Sequence, residues 1–422
     1  MLHIFRYSLS KILSFLFLFV CSLSFAQENE EMKTYSFAEF FQMIEDEPDS
    51  VFTLTNARII TNPLTDKAFH FGLNIYTLIQ NNKPAPKPPI QFVINKHVTL
   101  ENVQFTDNED MNREMLSSII KNIHFKKSLT LNNVYNIALW NCIIDGRFHY
   151  VTNSNLHLKL SNSSIFTGNH FNGSVRFIST GKNSSDGQVG IGLYKNTITQ
   201  SNNESFLFNL DLSLYGYCGL IGNTFNTTTE GFSTRLIFKN PTQLEIENNI
   251  FKTDPIYLNI NINDENLQNL RCVSNTFNNK VDLKILNLLP SADIEWEQFE
   301  NKIISNLGID YYIDENIHSK EDAQKAYYNA YLSEYRIKNK QSFKCEMEIR
   351  GTLYNYYKSK FDKESANAVY IELKNLETER LAYLYSAEPT FNGYFKWKMN
   401  QFLKVFSDYG TNPTKSIIFS IY

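Results

Sequence analysis

An asparagine returns at almost constant spacing through the middle of this chain. Asn141, Asn169, Asn196, Asn223, Asn249, Asn275 and Asn301 are separated by 28, 27, 27, 26, 26 and 26 residues. Two positions after each lies an apolar residue: Ile143, Phe171, Ile198, Phe225, Phe251, Phe277 and Ile303. Three positions before lie Ala138, Phe166, Leu193, Leu220, Ile246 and Cys272, with the polar Gln298 closing the series. A repeat of this length is one unit that cannot bury its own apolar face and must stack on its neighbours. Three short strands and three turns of a parallel β-helix fill such a period. Adjacent coils then lie about 4.8 Å apart, so identical side chains sit above one another. A stacked Asn column bonds amide to amide along the axis, while Phe and Ile columns fill the interior. Runs such as LHLKL (156–160), RLIFK (235–239) and VDLKIL (281–286) are strand-like and argue against a leucine-rich or helical solenoid. The reading is an all-β solenoid, a right-handed parallel β-helix, over residues 51–315.

Segments 51–60, 91–105 and 128–140 read as earlier, less regular rungs, with 81–89 and 181–192 as loops projecting from the stack. Both ends of a β-helix expose core and need a lid. At the N-terminal end Ser36-x-x-Glu39 is a capping box. Phe37, Phe40, Phe41 and Ile44 follow it on one helical face, so residues 34–50 are expected to form a capping helix. At the other end Trp296 and Phe299 are expected to plug the last rung.

The chain is 42% hydrophobic, which excludes wholesale disorder. Its net charge of −4 lacks the basic footprint of a nucleic-acid-binding protein, so no nucleic-acid partner is expected. Arg6 and Lys11 precede and open an apolar run from Ile12 to Phe25, and Ser24-Phe25-Ala26 resembles a small-x-small cleavage site. Residues 1–26 therefore read as a secretory signal peptide. Cys142, Cys218, Cys272 and Cys345 remain after its removal. The first three fall on different rungs and out of line, so they are expected to be buried and unpaired rather than a disulfide framework.

From Ser319 the period becomes helical, with Ala323, Ala326, Tyr327, Ala330 and Tyr331 on one face. Further helices are expected at 341–360 and after Asp362, making 316–390 an α-helical hairpin spacer or stalk. In 391–412, Phe395, Met399, Phe402, Leu403 and Phe406 form an apolar face. Tyr394 and Trp397 are residue types that favour a membrane interface, and Lys396, Lys398 and Lys404 lie among them. This segment reads as an amphipathic helix lying at a membrane, with Tyr394, Lys396, Trp397, Lys398, Phe402, Lys404 and Phe406 as its contact residues. Residues 413–422 carry the apolar SIIFSIY. They read as the start of a transmembrane helix, cut short because a span needs about 20 residues.

The stretch FKWKMNQFLKVFSDYGTNPTKSIIFSIY (395–422) resembles the junction in a group of exported bacterial proteins. Those carry a β-helix (sometimes described as pentapeptide-repeat-like), then a helical spacer, then a two-transmembrane potassium-channel-like pore. The order of parts matches across the chain, most closely in 294–302, 362–380 and 393–422. The resemblance implies an ectodomain at the periplasmic face of the inner membrane, single-pass or multi-pass in the full-length gene, coupled to a pore. It also implies a homotetramer, because such filters are built from four loops. No TVGYG-type filter occurs in the chain. Tyr215-Gly-Tyr-Cys-Gly219 mimics it but lies within a rung.

An enzyme on this scaffold would collect paired carboxylates, or a base with Arg or Lys, on stacked positions of one face. Aligned on the Asn series, the column two before it holds one acid, Glu247, and the column four before it sets Glu245 beside Arg271. The latter reads as a cross-rung ion pair. Asp145-Gly146-Arg147 reads as a solvated turn, and His170 as an outward-facing surface residue. Neither the histidines nor the cysteines have metal-site spacing. No catalytic residue, cofactor or metal site is expected. The leading reading is a non-catalytic, exported, membrane-associated binding or sensing module linked to an ion-channel-like pore, its β-helix open to a glycan or protein ligand. A carbohydrate-active β-helix lyase or hydrolase, and a structural or adhesive surface protein, are the alternatives.

Overall fold

The computed structural model describes residues 32–60, 92–106, 118–134, 137–153, 163–180, 190–199, 208–213, 216–226, 234–239, 241–252, 256–261, 269–286, 288, 290–304 and 335–421. The expected signal peptide, the loop at 81–89, most of 181–192 and the first tail helix near 319–331 lie outside these residues.

Parallel strands stack into three sheets around one apolar core. One sheet has eleven strands, from Lys33–Ser36 to Ile303–Ile304, and two have eight. One rung shows the plan. Tyr217–Ile221 lies in one eight-stranded sheet, Thr224–Asn226 in the other and Thr234–Lys239 in the long sheet. Neighbouring rungs pair in register, Leu220 with Leu193 and Ile246, and Leu236 with Leu210 and Leu258. Alternate residues point inward, and these are the buried ones: Leu244 and Ile246 are fully covered while Gln243, Glu245 and Glu247 between them are not. The fold is the expected parallel β-helix, and segments 51–60, 97–105 and 129–140 are its early rungs.

The Asn column is real but its ends differ from the sequence reading. Asn169, Asn196, Asn223, Asn249 and Asn275 are buried at a two-residue corner between the eight-stranded sheets. Each Oδ1 accepts from the backbone N–H of the preceding rung, at 2.9 to 3.1 Å along the series. Each Nδ2 donates to the next side-chain oxygen and to a carbonyl of the rung before, such as Leu193 for Asn223. Asn141 is not in this column. Its rung is shifted by one residue, so Cys142 occupies the ladder position and donates its N–H to Asn169. Asn141 instead fills the left-handed position (φ 51°) that Gly168, Lys195, Gly222, Asn248 and Ser274 take on later rungs. Asn is one of the few residues that adopts this conformation readily. At Gly168 a Cβ would stand 2.5 Å from the Asn141 side-chain oxygen, so a side chain there would displace the Asn141 amide. Asn301 is also outside the column. The last rung is short, Gln298 takes the ladder site beside Asn275, and Asn301 (φ 56°) gives its N–H to Glu372 of the helical region. A second, shorter column that the spacing did not reveal joins Asn56, Asn102 and Asn133, each at φ near 50°.

Inside, Phe225, Phe251, Phe277 and Phe299 form a stack with centroids 4.6, 5.0 and 5.4 Å apart. Cys142, Cys218 and Cys272 are free and buried, as expected, and Cys345 is free and partly exposed. Burial pushes the Cys142 and Cys272 thiols up to about 12, which leaves them inert as nucleophiles.

At the N-terminal end helix α1 (Phe37–Asp46) follows the first strand directly. The capping box is present: Glu39 N–H donates to Ser36 Oγ at 3.2 Å and Ser36 N–H to Glu39 Oε2 at 2.7 Å. Phe37, Phe40 and Ile44 are buried against the first rungs, with Phe40 meeting Phe52 and Phe105 edge-on.

At the other end Trp296 and Phe299 are buried, as expected of plugs. The lid over them comes from two long helices, α2 (Lys340–Ser359) and α3 (Lys363–Ala387), which follow a helical turn at Tyr335–Lys338. Leu353, Tyr356, Tyr357, Ala366 and Val369 belong to the same core as the solenoid. These helices therefore cap the β-helix, where the sequence suggested a spacer. Tyr356 and Tyr357 donate to the carbonyls of Ala292 (2.6 Å) and Ile294 (3.1 Å), and Arg350 donates to that of Ile303 (2.9 Å).

Candidate functional site

Two surfaces carry the residues singled out by the sequence. The first is the outer face of one eight-stranded sheet near the C-terminal rungs. Here the register departs from the sequence alignment, because the last rung is short: Arg271 faces Glu245 on one side and Asp293, not Glu297, on the other. The expected Glu245–Arg271 pair is not formed. Arg271 reaches diagonally to Glu247 (2.8 Å) and across to Asp293 (3.3 Å). Glu245 accepts instead from Tyr217 (2.9 Å) and Gln243 (2.9 Å), and Tyr194 donates to Tyr217 at 3.1 Å. Desolvation raises the Glu247 carboxyl above the ordinary value; Arg271 opposes this, and Glu245, Asp293 and Glu295 reinforce it. The acids are thus gathered on stacked positions, where the sequence columns showed Glu245 and Glu247 but did not bring Asp293 beside Arg271. Their geometry is that of a network around one guanidinium.

On the other eight-stranded sheet Asp145 is no free turn residue. It lies 2.6 Å from His124 Nε2 and accepts from Asn172 at 2.8 Å. Burial works against its ionisation, yet the hydrogen bonds from Asn172 and His124 and the charges of His124 and Lys126 hold it below the usual range. His170 is half-buried in the outward column beside Ile143 and Thr197. Among the described residues no group of His, Cys, Asp and Glu side chains is arranged to hold a metal ion.

The second surface is the C-terminal hairpin, helices α4 (Phe391–Ser407) and α5 (Pro413–Ile421). Thr390 caps α4 by accepting from Gly393 at 3.1 Å. The chain then turns sharply through Asp408, Tyr409 and Gly410, all at positive φ. Ser407 Oγ accepts from Gly410 at 2.9 Å, and Lys415 binds Asp408 at 2.6 Å. Pro413 opens α5, where its missing N–H costs nothing. Tyr409 is the anchor that sequence reasoning missed. It is buried against α3, 3.1 Å from Thr378 Oγ1, and donates to Asn375 at 3.2 Å.

This hairpin carries a concentration of exposed large apolar residues. Phe391 is 85% exposed, and Phe395, Met399, Phe402 and Val405 follow it at helical spacing. Ile417, Ile418 and Phe419 of α5 are exposed as well, with Phe419 near Phe406. Contiguous exposed apolar residues of this kind are uncommon on a monomer's surface. Lys396, Lys398 and Lys404 are exposed on α4, which contains no acid. Of the expected contact residues, Tyr394, Lys396, Lys398, Phe402 and Lys404 face outward. Trp397 and Phe406 are half-buried: Trp397 stacks on Tyr385 of α3 at 5.7 Å, with Lys398 4.0 Å above its ring, and Phe406 stacks on Phe402. Periodicity in α4 alone does not show that packing, because the partner lies on another helix. Among the described residues no helix is long and apolar enough to cross a membrane. The segment expected to begin a span is the nine-residue α5 lying back along α4.

Comparison with family models, curated proteins and solved structures finds no match for this chain.

Proposed function

We propose that the chain is a non-catalytic, exported β-helix module held at a membrane surface by its α4–α5 hairpin, with the solenoid free to bind a ligand. The observation that carries this reading is the apolar face of Phe391, Phe395, Met399, Phe402 and Val405, exposed on a helix whose only charges are lysines. Such a helix buries its apolar side among acyl chains while lysines reach the headgroups. The leader-like residues 1–26 support export. The resemblance to channel-linked β-helix proteins extends the reading. In that arrangement the ectodomain sits on the periplasmic face of the inner membrane as a homotetramer and reports to a pore. The joined core of solenoid, α2 and α3 suits such a role, since it packs the tail helices directly on the last rungs.

The test is flotation of the protein with lipid vesicles. Binding to phosphatidylcholine vesicles is expected to increase when phosphatidylglycerol is added, and to fall sharply in a Phe395→Glu, Phe402→Glu variant. A wild-type protein that stays at the bottom of the gradient with both vesicle types overturns the reading. A carbohydrate-active enzyme is the second reading, favoured by the raised Glu247 carboxyl among Glu245, Asp293 and Glu295. Release of reducing ends or unsaturated sugars from polysaccharides would bring it forward.

A further inference from the structure

The corner between α4 and α5 is built in a way that membrane contact alone does not require. Asp408, Tyr409 and Gly410 follow one another in the left-handed region, at φ 48°, 59° and 90°. Glycine adopts that region freely and aspartate tolerates it, but a tyrosine enters it only against a steric cost. A small set of polar bonds holds the corner closed. Tyr409 is pinned to Asn375 and Thr378 of α3. The Asp408 carboxylate accepts from Lys415 at 2.6 Å on one oxygen and from Asn412 Nδ2 at 3.4 Å on the other. Lys415 Nζ also reaches the Lys404 carbonyl at 3.4 Å.

Beyond the corner little holds α5 down. Of its described side chains, Pro413, Thr414, Ile417, Ile418, Phe419 and Ser420 are exposed, and only Lys415 and Ser416 are half-buried. Nine residues are too few for a helix to stand alone in water, so α5 depends on its seat. That seat is the end of the apolar side of α4. Phe402 and Phe406, one helical turn apart, stack at 5.3 Å, and Phe419 of α5 lies 6.3 Å from Phe406. Phe402 is exposed while Phe406 is half-buried. The short helix thus lies over part of the surface that α4 offers to a bilayer.

We propose that α5 is a folded-back strap that restrains membrane binding by the hairpin, an inference that rests on the membrane reading of α4 and α5. At a bilayer surface it swings off α4 about Asp408–Gly410. The swing uncovers Phe406 and lays Ile417, Ile418 and Phe419 among the acyl chains beside it. Apolar contact with the lipid offsets the lost corner bonds, and the left-handed strain at Tyr409 is released in the same step. A rigid hairpin would instead enter the interface with α5 still seated.

The experiment uses the full chain carrying Asn400→Cys on α4 and Ser420→Cys on α5. A Cys345→Ser background is needed because Cys345 is partly exposed. Spin labels on the introduced pair report the separation of the two helices by pulsed electron resonance. One short distance is expected in buffer, and a longer one when vesicles of phosphatidylcholine and phosphatidylglycerol are added. A cleavable crosslink across the same pair should lower vesicle binding roughly tenfold, because it keeps about one large apolar side chain from the bilayer, and cleavage should restore binding. Tyr409→Phe removes the bonds to Asn375 and Thr378 without touching the apolar face, and should raise binding several-fold. Circular dichroism melts establish that each variant folds. A separation unchanged on bound vesicles, equal binding before and after cleavage, or a Tyr409→Phe variant that binds no better than wild type each overturns the strap and leaves the membrane reading intact. If the uncrosslinked protein does not float with the vesicles, both fall.

Discussion

The two ends of the solenoid are closed by different physics. The N-terminal lid, α1, follows the first strand in sequence and covers the core with Phe37, Phe40 and Ile44. The C-terminal lid is brought in from 47 or more residues away and adds polar bonds to its apolar contacts: Tyr356, Tyr357 and Arg350 satisfy strand carbonyls, and Glu372 takes the Asn301 N–H. The end rungs explain the contrast. Towards the N-terminus the ladder position passes to Cys142 and then to the buried Ile123, and α1 lays apolar side chains over the end while Lys96 donates to the Ile44, Glu45 and Glu47 carbonyls where α1 stops. Towards the C-terminus Gln298 ends the amide chain on the Cys272 and Glu295 carbonyls, and the carbonyls of Ala292, Ile294 and Ile303 on the last rung are left for the lid. A lid there must finish hydrogen bonds as well as exclude water, since buried polar groups left unpaired are costly.

The sharpest way to break that contrast is at Arg350. It is buried with Glu346 (3.3 Å) and Glu372 (3.3 Å) and also holds the Ile303 carbonyl. Arg350→Ala leaves two buried carboxylates and a carbonyl without their partner, and should cost about 3–5 kcal/mol. Urea denaturation followed by circular dichroism reads the loss. A variant within 1 kcal/mol of wild type would mean that apolar contacts close both ends alike (about the loss expected of a surface pair).

The ladder itself is the next test. Asn223→Ala removes the acceptor for the Asn196 N–H and Nδ2 and the donor to Leu193, and should cost about 2–4 kcal/mol. Asn141→Ala touches no ladder bond and should cost only about 1 kcal/mol, the penalty for a left-handed Ala. Equal losses at the two sites would restore Asn141 to the column. At the N-terminal end Ser36→Ala removes one cap bond, worth about 1 kcal/mol. Hydrogen exchange should show that loss confined to α1 and the first rungs.

The same contrast decides what could be read from sequence. The period gave the fold because every rung must place apolar residues at the same points, and α1 was visible because its cap and its apolar face are local. Asn141 and Asn301 misled because Asn serves two corner roles, the buried ladder amide and the left-handed turn, and spacing cannot separate them. Asp293 was missed because it lies 22 residues beyond Arg271, a shorter step than the rungs before it. Tyr356, Tyr357 and Arg350 read as an ordinary helical face, since nothing local marks the carbonyls they reach. In the hairpin the exposed face of α4 was legible, while the burial of Trp397 on Tyr385 and the anchor at Tyr409 depend on α3.

The smallest effect separates the ends by pH. Glu247 lies on the C-terminal rungs, and its carboxyl is raised from 4.5 chiefly by desolvation, against Arg271 and with Glu245, Asp293 and Glu295. A raised folded value means that the folded chain holds this proton more tightly than the unfolded chain. Its stabilising contribution is complete below pH 4.5, the unfolded value, and is lost as pH rises through the folded value. Glu247→Gln should therefore remove this pH dependence. At neutral pH the variant should match or exceed wild type by under about 1 kcal/mol, because the lost Arg271 pair is partly exposed and worth little. The advantage should vanish below pH 4.5. Thermal melts of both proteins from pH 4 to pH 7, with exchange protection followed at Ile294 and at Ile59, check the sign and the place. A difference that appears equally at both positions would mean that the stack transmits the charge along its length, and that its two ends are not independent.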